Sequence, residues 1–188
     1  MAKQQFIFAG TGGQGLILAA IVMAEAAILA RKNAAQSQSY GPEARGGASK
    51  AELIISDETI RYPKVRQPDF VLTMSEQAYK KYGLELGEEA VLIVDDTYVT
   101  HVKPRNRNLY ALPVTKTARA TFGNEQSANI VAVGVVAALS EAVPFDQVRQ
   151  AVTKRVPKGS VEQNTRALEL GWNLGRDAKI AATQAKTP

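Results

Sequence analysis

Two short stretches hold most of the residues able to do chemistry. The first, "GTGGQG", runs from Gly10 to Gly15. Gly10, Gly12 and Gly15 fit the pattern G-x-G-x-x-G, with Thr11, Gly13 and Gln14 between them. Such a loop, set between a strand and a helix, lets a phosphate approach the backbone and meet the free N–H groups of the helix N-terminus. The second, "SYGPEARGG", runs from Ser39 to Gly47. Arg45 is a fixed, planar cation suited to phosphate or carboxylate. Gly46 and Gly47 admit close approach, and Tyr40 offers a stacking face and a hydroxyl. Ser39, Tyr40, Gly41, Arg45, Gly46 and Gly47 therefore join Gly10–Gly15 as candidate cofactor-binding residues. No residue stands out as a catalytic acid, base or nucleophile, and none as a metal ligand.

Each loop also has a plain reading. The first fits a tight turn that packs a helix on a sheet, and the second a surface loop whose arginine makes a salt bridge. A dinucleotide site needs an acid about 20 residues past the glycines to hold the ribose. None occurs between Glu25 and Glu43, which disfavours NAD.

The elements around these loops alternate. "QFIFA" (5–9) reads as a buried strand, and "GLILAAIVMAEAAILARK" (15–32) as a helix, giving a Rossmann-like strand, glycine loop and helix. Further strands are expected at 50–56, 69–75, 90–96 and 108–114, with a short helix from 76. Three helices close the chain, at 127–143, 145–156 and 160–178. The expected fold is a single α/β domain over 1–178, with a largely parallel sheet flanked by helices, an excursion around residues 36–65 and a frayed tail at 179–188. The helix at 127–143 is apolar on most faces, so an isolated chain is expected to self-associate there, as a homodimer. "VDDTYV" (94–99) reads as two exposed carboxylates at a strand end. His101, the sole histidine, reads as a loop residue beside "KPRNRN"; Trp172 reads as a packing residue, and Asn129 and Asn164 as helix-end hydrogen-bonding groups.

Of the 188 residues, 45% are apolar and 22% charged, which suits one globular core. There is no cysteine, so no cluster ligation and no disulfide. No apolar run reaches a membrane span and no leader is evident, so a cytoplasmic location is expected. The net charge of +5 fits a lysine-rich surface or one that meets an anion. The basic residues are scattered, which argues against nucleic acid.

Four stretches together resemble the gamma subunits of 2-oxoacid:ferredoxin oxidoreductases, above all those of the 2-oxoglutarate enzyme. They are "GTGGQG", "QSQSYGPEARGGASKAELIIS" (36–56), "NIVAVG" (129–134) and "NTRALELGW" (164–172); the pyruvate and ketoisovalerate enzymes are near relatives. The resemblance implies a part in oxidative decarboxylation of a 2-oxoacid, with coenzyme A and ferredoxin, to acyl-CoA and carbon dioxide. It implies thiamine diphosphate, magnesium and Fe–S clusters on partner alpha, beta and delta (ferredoxin-like) chains, and coenzyme A near the two glycine loops. The thiamine signature "GDG" with paired asparagines is absent here, so the chain is expected to be inactive alone. Two other readings stand beside this one: a structural docking subunit of the same complex, and an independent nucleotide-binding oxidoreductase.

Overall fold

The computed structural model describes residues 3–39, 48–103 and 108–185. Six strands form one sheet: β1 (Gln4–Thr11), β2 (Asn33–Ser39), β3 (Ala48–Ser56), β4 (Phe70–Thr73), β5 (Val91–Asp95) and β6 (Asn108–Leu112). Their order is β2-β3-β1-β4-β5-β6. β1, β4, β5 and β6 run parallel, while β3 lies antiparallel between β1 and β2. The excursion expected around 36–65 thus contains a hairpin, β2–β3, joined to the sheet through β3.

The described residues also form six α-helices: α1 (Leu16–Leu29), α2 (Glu76–Tyr82), α3 (Val114–Phe122), α4 (Ala128–Ser140), α5 (Phe145–Arg155) and α6 (Val161–Gln184). One face of the sheet presents Phe6, Phe8, Leu53, Ile55, Leu72 and Ile93 to α1, α3 and α4. α5 and α6 pack outside these. The other face carries a smaller cluster, in which Ile7, Val71 and Leu92 meet Ala78 and Tyr79 of α2. Phe6 stacks on Phe70 with ring centroids 5.2 Å apart. Trp172 packs as expected, 4.8 Å from the Phe145 ring. No described helix is long and apolar enough to cross a membrane.

Several expectations need correction. β2 and α3 were not anticipated. α4 is buried along all of its 13 residues, so it offers no face for self-association. α6 continues through Gln184, carrying residues 179–184 that the sequence assigned to a frayed tail. Asp95 is fully buried, because the amide and hydroxyl of Thr115 and the amide of Thr97 donate to its carboxylate. Only Asp96 is exposed.

α4 is enclosed by a backbone-to-backbone crossing with α6. A Cβ at Gly171 would overlap the Val131 carbonyl, and one at Gly134 the Leu168 carbonyl. Backbone cannot swing aside as a flexible side chain can. We therefore predict that Gly171→Ala destabilises the fold by about 2–3 kcal/mol, as overpacking does, or roughly 4–12 °C in Tm for a domain of this size. Gly159→Ala, where the added Cβ meets nothing, should stay within about 0.5 kcal/mol of the parent. Thermal unfolding followed by circular dichroism compares the two.

Candidate functional site

β1 leads straight into the first glycine loop, which the Gln14 side chain holds in shape. The Thr11 amide donates to Gln14 Oε1 (2.8 Å), and Gln14 Nε2 donates to the Met74 carbonyl just past β4 (2.8 Å). The folded-back amide occupies the place of a side chain at Gly10, where a Cβ would strike Gln14 and Leu16. The left-handed turns fall at Gly13 (φ 95°) and Gly15 (φ 72°). Gly15 caps α1 and is pressed by Asn129 from α4, whose Nδ2 donates to the Gly15 carbonyl (3.3 Å). So the sharp turn depends on Gly13, outside the G-x-G-x-x-G triplet. Gly15 makes room for a neighbouring helix rather than for a strand. Gly12 has ordinary φ and nothing within 4 Å of an added Cβ. Among the described residues, no contact requires it to be glycine.

The residues that follow the second loop meet the end of the first strand through strand register. In the antiparallel β1–β3 pair, Gly10 faces Ser49 and Thr11 faces Ala48. Ser49 Oγ donates to the Gly10 carbonyl (3.3 Å). The chain therefore enters β3 from "SYGPEARGG" directly beside the end of β1. Ser39, at the other end of that stretch, is exposed and paired with Lys50. Tyr40, Gly41, Arg45, Gly46 and Gly47 lie outside the described residues.

Past the C-terminal ends of β1, β4 and β5 lie two adjoining cavities of about 280 Å³ and 560 Å³. Gln14, Met74 and Glu125 line both. Gly13, Gly15 and Asn129 complete the first, and Thr11, Ser75 and Tyr98 belong to the second. At the rim, Arg119 forms an ion pair with Glu125, and Tyr98 donates its hydroxyl to the same carboxylate (2.7 Å). The hydrogen bond from Arg119, and then that from Tyr98, hold Glu125 below the usual carboxylate range. Accordingly, Glu125 stays ionised with its charge balanced by Arg119. Among the described residues, no Lys or Arg side chain lines either cavity.

Two sequence expectations fit this geometry without belonging to a ligand site. Asn164 donates to the Ser160 carbonyl (2.8 Å) near the start of α6, and His101 is an exposed loop residue beside Thr100. Met74, Tyr98 and Glu125 escaped the sequence reading. They sit on separate connections after β4, after β5 and before α4, and nothing local marks them. Topology also bears on the dinucleotide reading. A ribose-binding acid would end the strand parallel and adjacent to β1 after α1. Here the strand after α1 is β2, and antiparallel β3 separates it from β1.

Residues 5–174 match the family described as pyruvate ferredoxin/flavodoxin oxidoreductase. The 2-oxoglutarate synthase subunit KorC of Methanocaldococcus jannaschii is 39% identical over 178 residues, which is 93% of this chain and 95% of that one. A solved keto/oxoacid ferredoxin oxidoreductase gamma subunit from Geobacter sulfurreducens is 43% identical. It superposes with a TM-score of 0.86 over 95% of this chain and 99% of its own. The same fold occurs in the 2-oxoglutarate:ferredoxin oxidoreductase of Magnetococcus marinus, solved with 2-oxoglutarate, coenzyme A and succinyl-CoA bound. There the TM-score is 0.77 at 16% identity, and this chain spans 32% of that one.

The two loop glycines separate by a stability measurement. Gly15→Ala forces a side chain into the left-handed region, at about 1–2 kcal/mol, and against Asn129. Gly12→Ala should change stability by less than about 0.5 kcal/mol. Urea denaturation midpoints of the two variants provide the comparison.

Proposed function

The chain belongs to the pyruvate ferredoxin/flavodoxin oxidoreductase family, as a gamma-type subunit of 2-oxoacid:ferredoxin oxidoreductases most like those of 2-oxoglutarate synthases, and from that premise we propose that it forms the coenzyme A side of the complex's active site. The pairing of Thr11 with Ala48 carries this reading, because it brings the ends of two glycine-rich loops to one edge of the sheet. Gly12 supports it: among the described residues nothing lies within 4 Å of a Cβ added there, which leaves room for a ligand atom against the backbone. The phosphates of coenzyme A would lie against the N–H groups of Gly12–Gly15, in the field of the α1 N-terminus. The described cavity walls lack a basic side chain, so the cation is assigned to Arg45. Thr11, Ser39, Tyr40, Gly41, Gly46 and Gly47 are assigned to the same ligand from their residue types and their place in the two loops.

The complex oxidatively decarboxylates a 2-oxoacid, 2-oxoglutarate in this reading, and transfers the acyl group to coenzyme A. Thiamine diphosphate with magnesium and the Fe–S clusters, held on the alpha, beta and delta-type partners, supply carbanion stabilisation and electron transfer to ferredoxin. With no cysteine and no thiamine signature, this chain's work is to bind and orient. By holding the nucleotide end it makes acyl transfer effectively intramolecular at the partner-built centre. One observation favours the docking alternative: with Glu125 balanced by Arg119, Glu76 stands on the wall of the larger cavity only 3.9 Å from Lys80, a carboxylate suited to a basic side chain of a catalytic chain.

Two measurements decide between these readings. In the assembled enzyme, Arg45→Ala should raise the KM for coenzyme A roughly ten- to a hundredfold, the loss of one charge-assisted hydrogen bond, and leave the 2-oxoacid KM nearly unchanged. Gly12→Val should act in the same direction with its fold intact. If only the 2-oxoacid KM moves, the loops serve another ligand; dissociation of Arg45→Ala complexes on gel filtration would favour docking. The chain alone, given 2-oxoacid, coenzyme A, thiamine diphosphate, magnesium and a viologen dye, should show no turnover above background. Activity should return when the catalytic subunits are added.

A further inference from the structure

The ligand crevice of an α/β sheet opens where neighbouring strands send their helices to opposite faces. Here β1 and β4 are parallel neighbours. The chain leaves β1 for α1 on one face and leaves β4 for α2 on the other. The larger cavity, of about 560 Å³, lies at that point. Thr11 at the end of β1, and Ser75 and Glu76 at the start of α2, stand on its walls. Its volume falls in the usual range for small-molecule sites, roughly 300–1,000 Å³. Gln14 joins it to the glycine loop.

The walls of this cavity select for one kind of polar group. No Lys or Arg among the described residues lines it, so it offers a phosphate no cation. Glu125 already accepts from Arg119 and Tyr98. Glu76 is less well served. Its ion-pair partner Lys80 stands 3.9 Å from Oε1, beyond hydrogen-bond reach. Its Oε2 is buried with no partner among the described residues. An orphaned buried acceptor is costly and calls for a donor. The carboxyl torsion is soft, so a donor in the cavity turns Glu76 toward itself. Beside it, buried Met74 and the ring of Tyr98, 41% exposed, give apolar surface. The cavity thus suits a flat, uncharged group that carries an N–H.

We propose that this cavity holds the adenine ring of coenzyme A and that Glu76 accepts a hydrogen bond from its amino group, an inference that rests on the coenzyme A reading above. The phosphates belong with the N–H groups of the glycine loop. The pantetheine arm must lead away from this chain, because its thiol reacts at a centre built by the partner chains. Adenine is the uncharged part that stays behind. Its ring lies against Tyr98 and against Met74, whose thioether favours aromatic edges. Its amino group supplies the donor that Glu76 lacks. A hypoxanthine ring carries a carbonyl at that position, which would face the carboxylate. Glu76 therefore makes the site choose an aminopurine.

The test is base preference in the assembled enzyme, read as kcat/KM for coenzyme A over kcat/KM for its hypoxanthine analogue at saturating 2-oxoacid. The parent should favour coenzyme A by about tenfold or more, the worth of one charge-assisted hydrogen bond. Glu76→Gln, whose amide can turn its NH2 toward a carbonyl, should bring the ratio near unity. Tyr98→Ala should weaken both substrates alike and leave the ratio high. The proposal is overturned if the parent uses both substrates equally or if Glu76→Gln leaves the ratio unchanged. It is overturned too if Glu76→Gln complexes dissociate on gel filtration, which would give Glu76 to a basic partner. Arg45→Ala tells such a failure from a failure of the underlying reading. It still raises the coenzyme A KM in the first case and leaves it unaltered in the second.

Discussion

The antiparallel pairing of β3 with β1 is the constraint on which the rest of this structure turns. In a doubly wound sheet the strand after the first helix returns beside β1 and parallel to it. Here that place is taken by a strand running the other way. Because β3 starts where β1 stops, the connection before β3 arrives at the C-terminal edge, where α/β proteins gather their ligands. The same reversal displaces β2 to the margin and removes the ribose-binding position of a dinucleotide fold. One inverted strand therefore accounts for the meeting of β3's start with β1's end, for the loss of a Rossmann cofactor geometry, and for the marginal place of β2.

Around that edge the site is held by side-chain amides rather than by charges. Gln14 joins the loop to β4, Asn129 joins it to α4, and Ser49 joins β3 to Gly10. These are neutral hydrogen bonds of 2.8–3.3 Å between groups that the sheet and helices already fix in place. A loop ordered before its ligand arrives loses less entropy on binding. The one conspicuous ion pair, Arg119 with Glu125, lies at the rim and neutralises the acid nearest the glycines.

Much of this was legible in the sequence, for definite reasons. β1, β3, β4 and β5 are short apolar runs bounded by turn residues, and α4 is a long one, so burial alone identifies them. β2 is polar and small, "NAAQSQS", and becomes a strand only because β3 offers it an edge; no periodicity announces that. α3, "VTKTARATF", has three threonines and a valine, weak helix formers, and is fixed from outside by Asp95 bonding to Thr115. The glycine pattern gave the loop its place but not its internal division of labour. Which glycine turns the chain and which yields to a neighbour depends on Gln14 and Asn129, and Asn129 is more than a hundred residues away. An isolated "VDD" cannot disclose that its first aspartate is a hydrogen-bond hub, since Thr115, which gives it both an amide and a hydroxyl, belongs to a later helix.

The central position of α4 has a consequence for how the chain is made. Phe6, Phe8, Leu53, Ile55, Leu72 and Ile93 all await the helices at 114–140 for cover on that face of the sheet, and α4 cannot settle until the glycines of α6 arrive to receive it. At ordinary rates of synthesis, about 5–20 residues per second, the roughly 75 residues between the end of β5 and the middle of α6 take about 4–15 s to appear. At the start of that interval five strands are complete, with only α1 over the larger apolar face. The nascent chain is thus at its most aggregation-prone late in translation, and chaperone demand should be concentrated there rather than at its beginning.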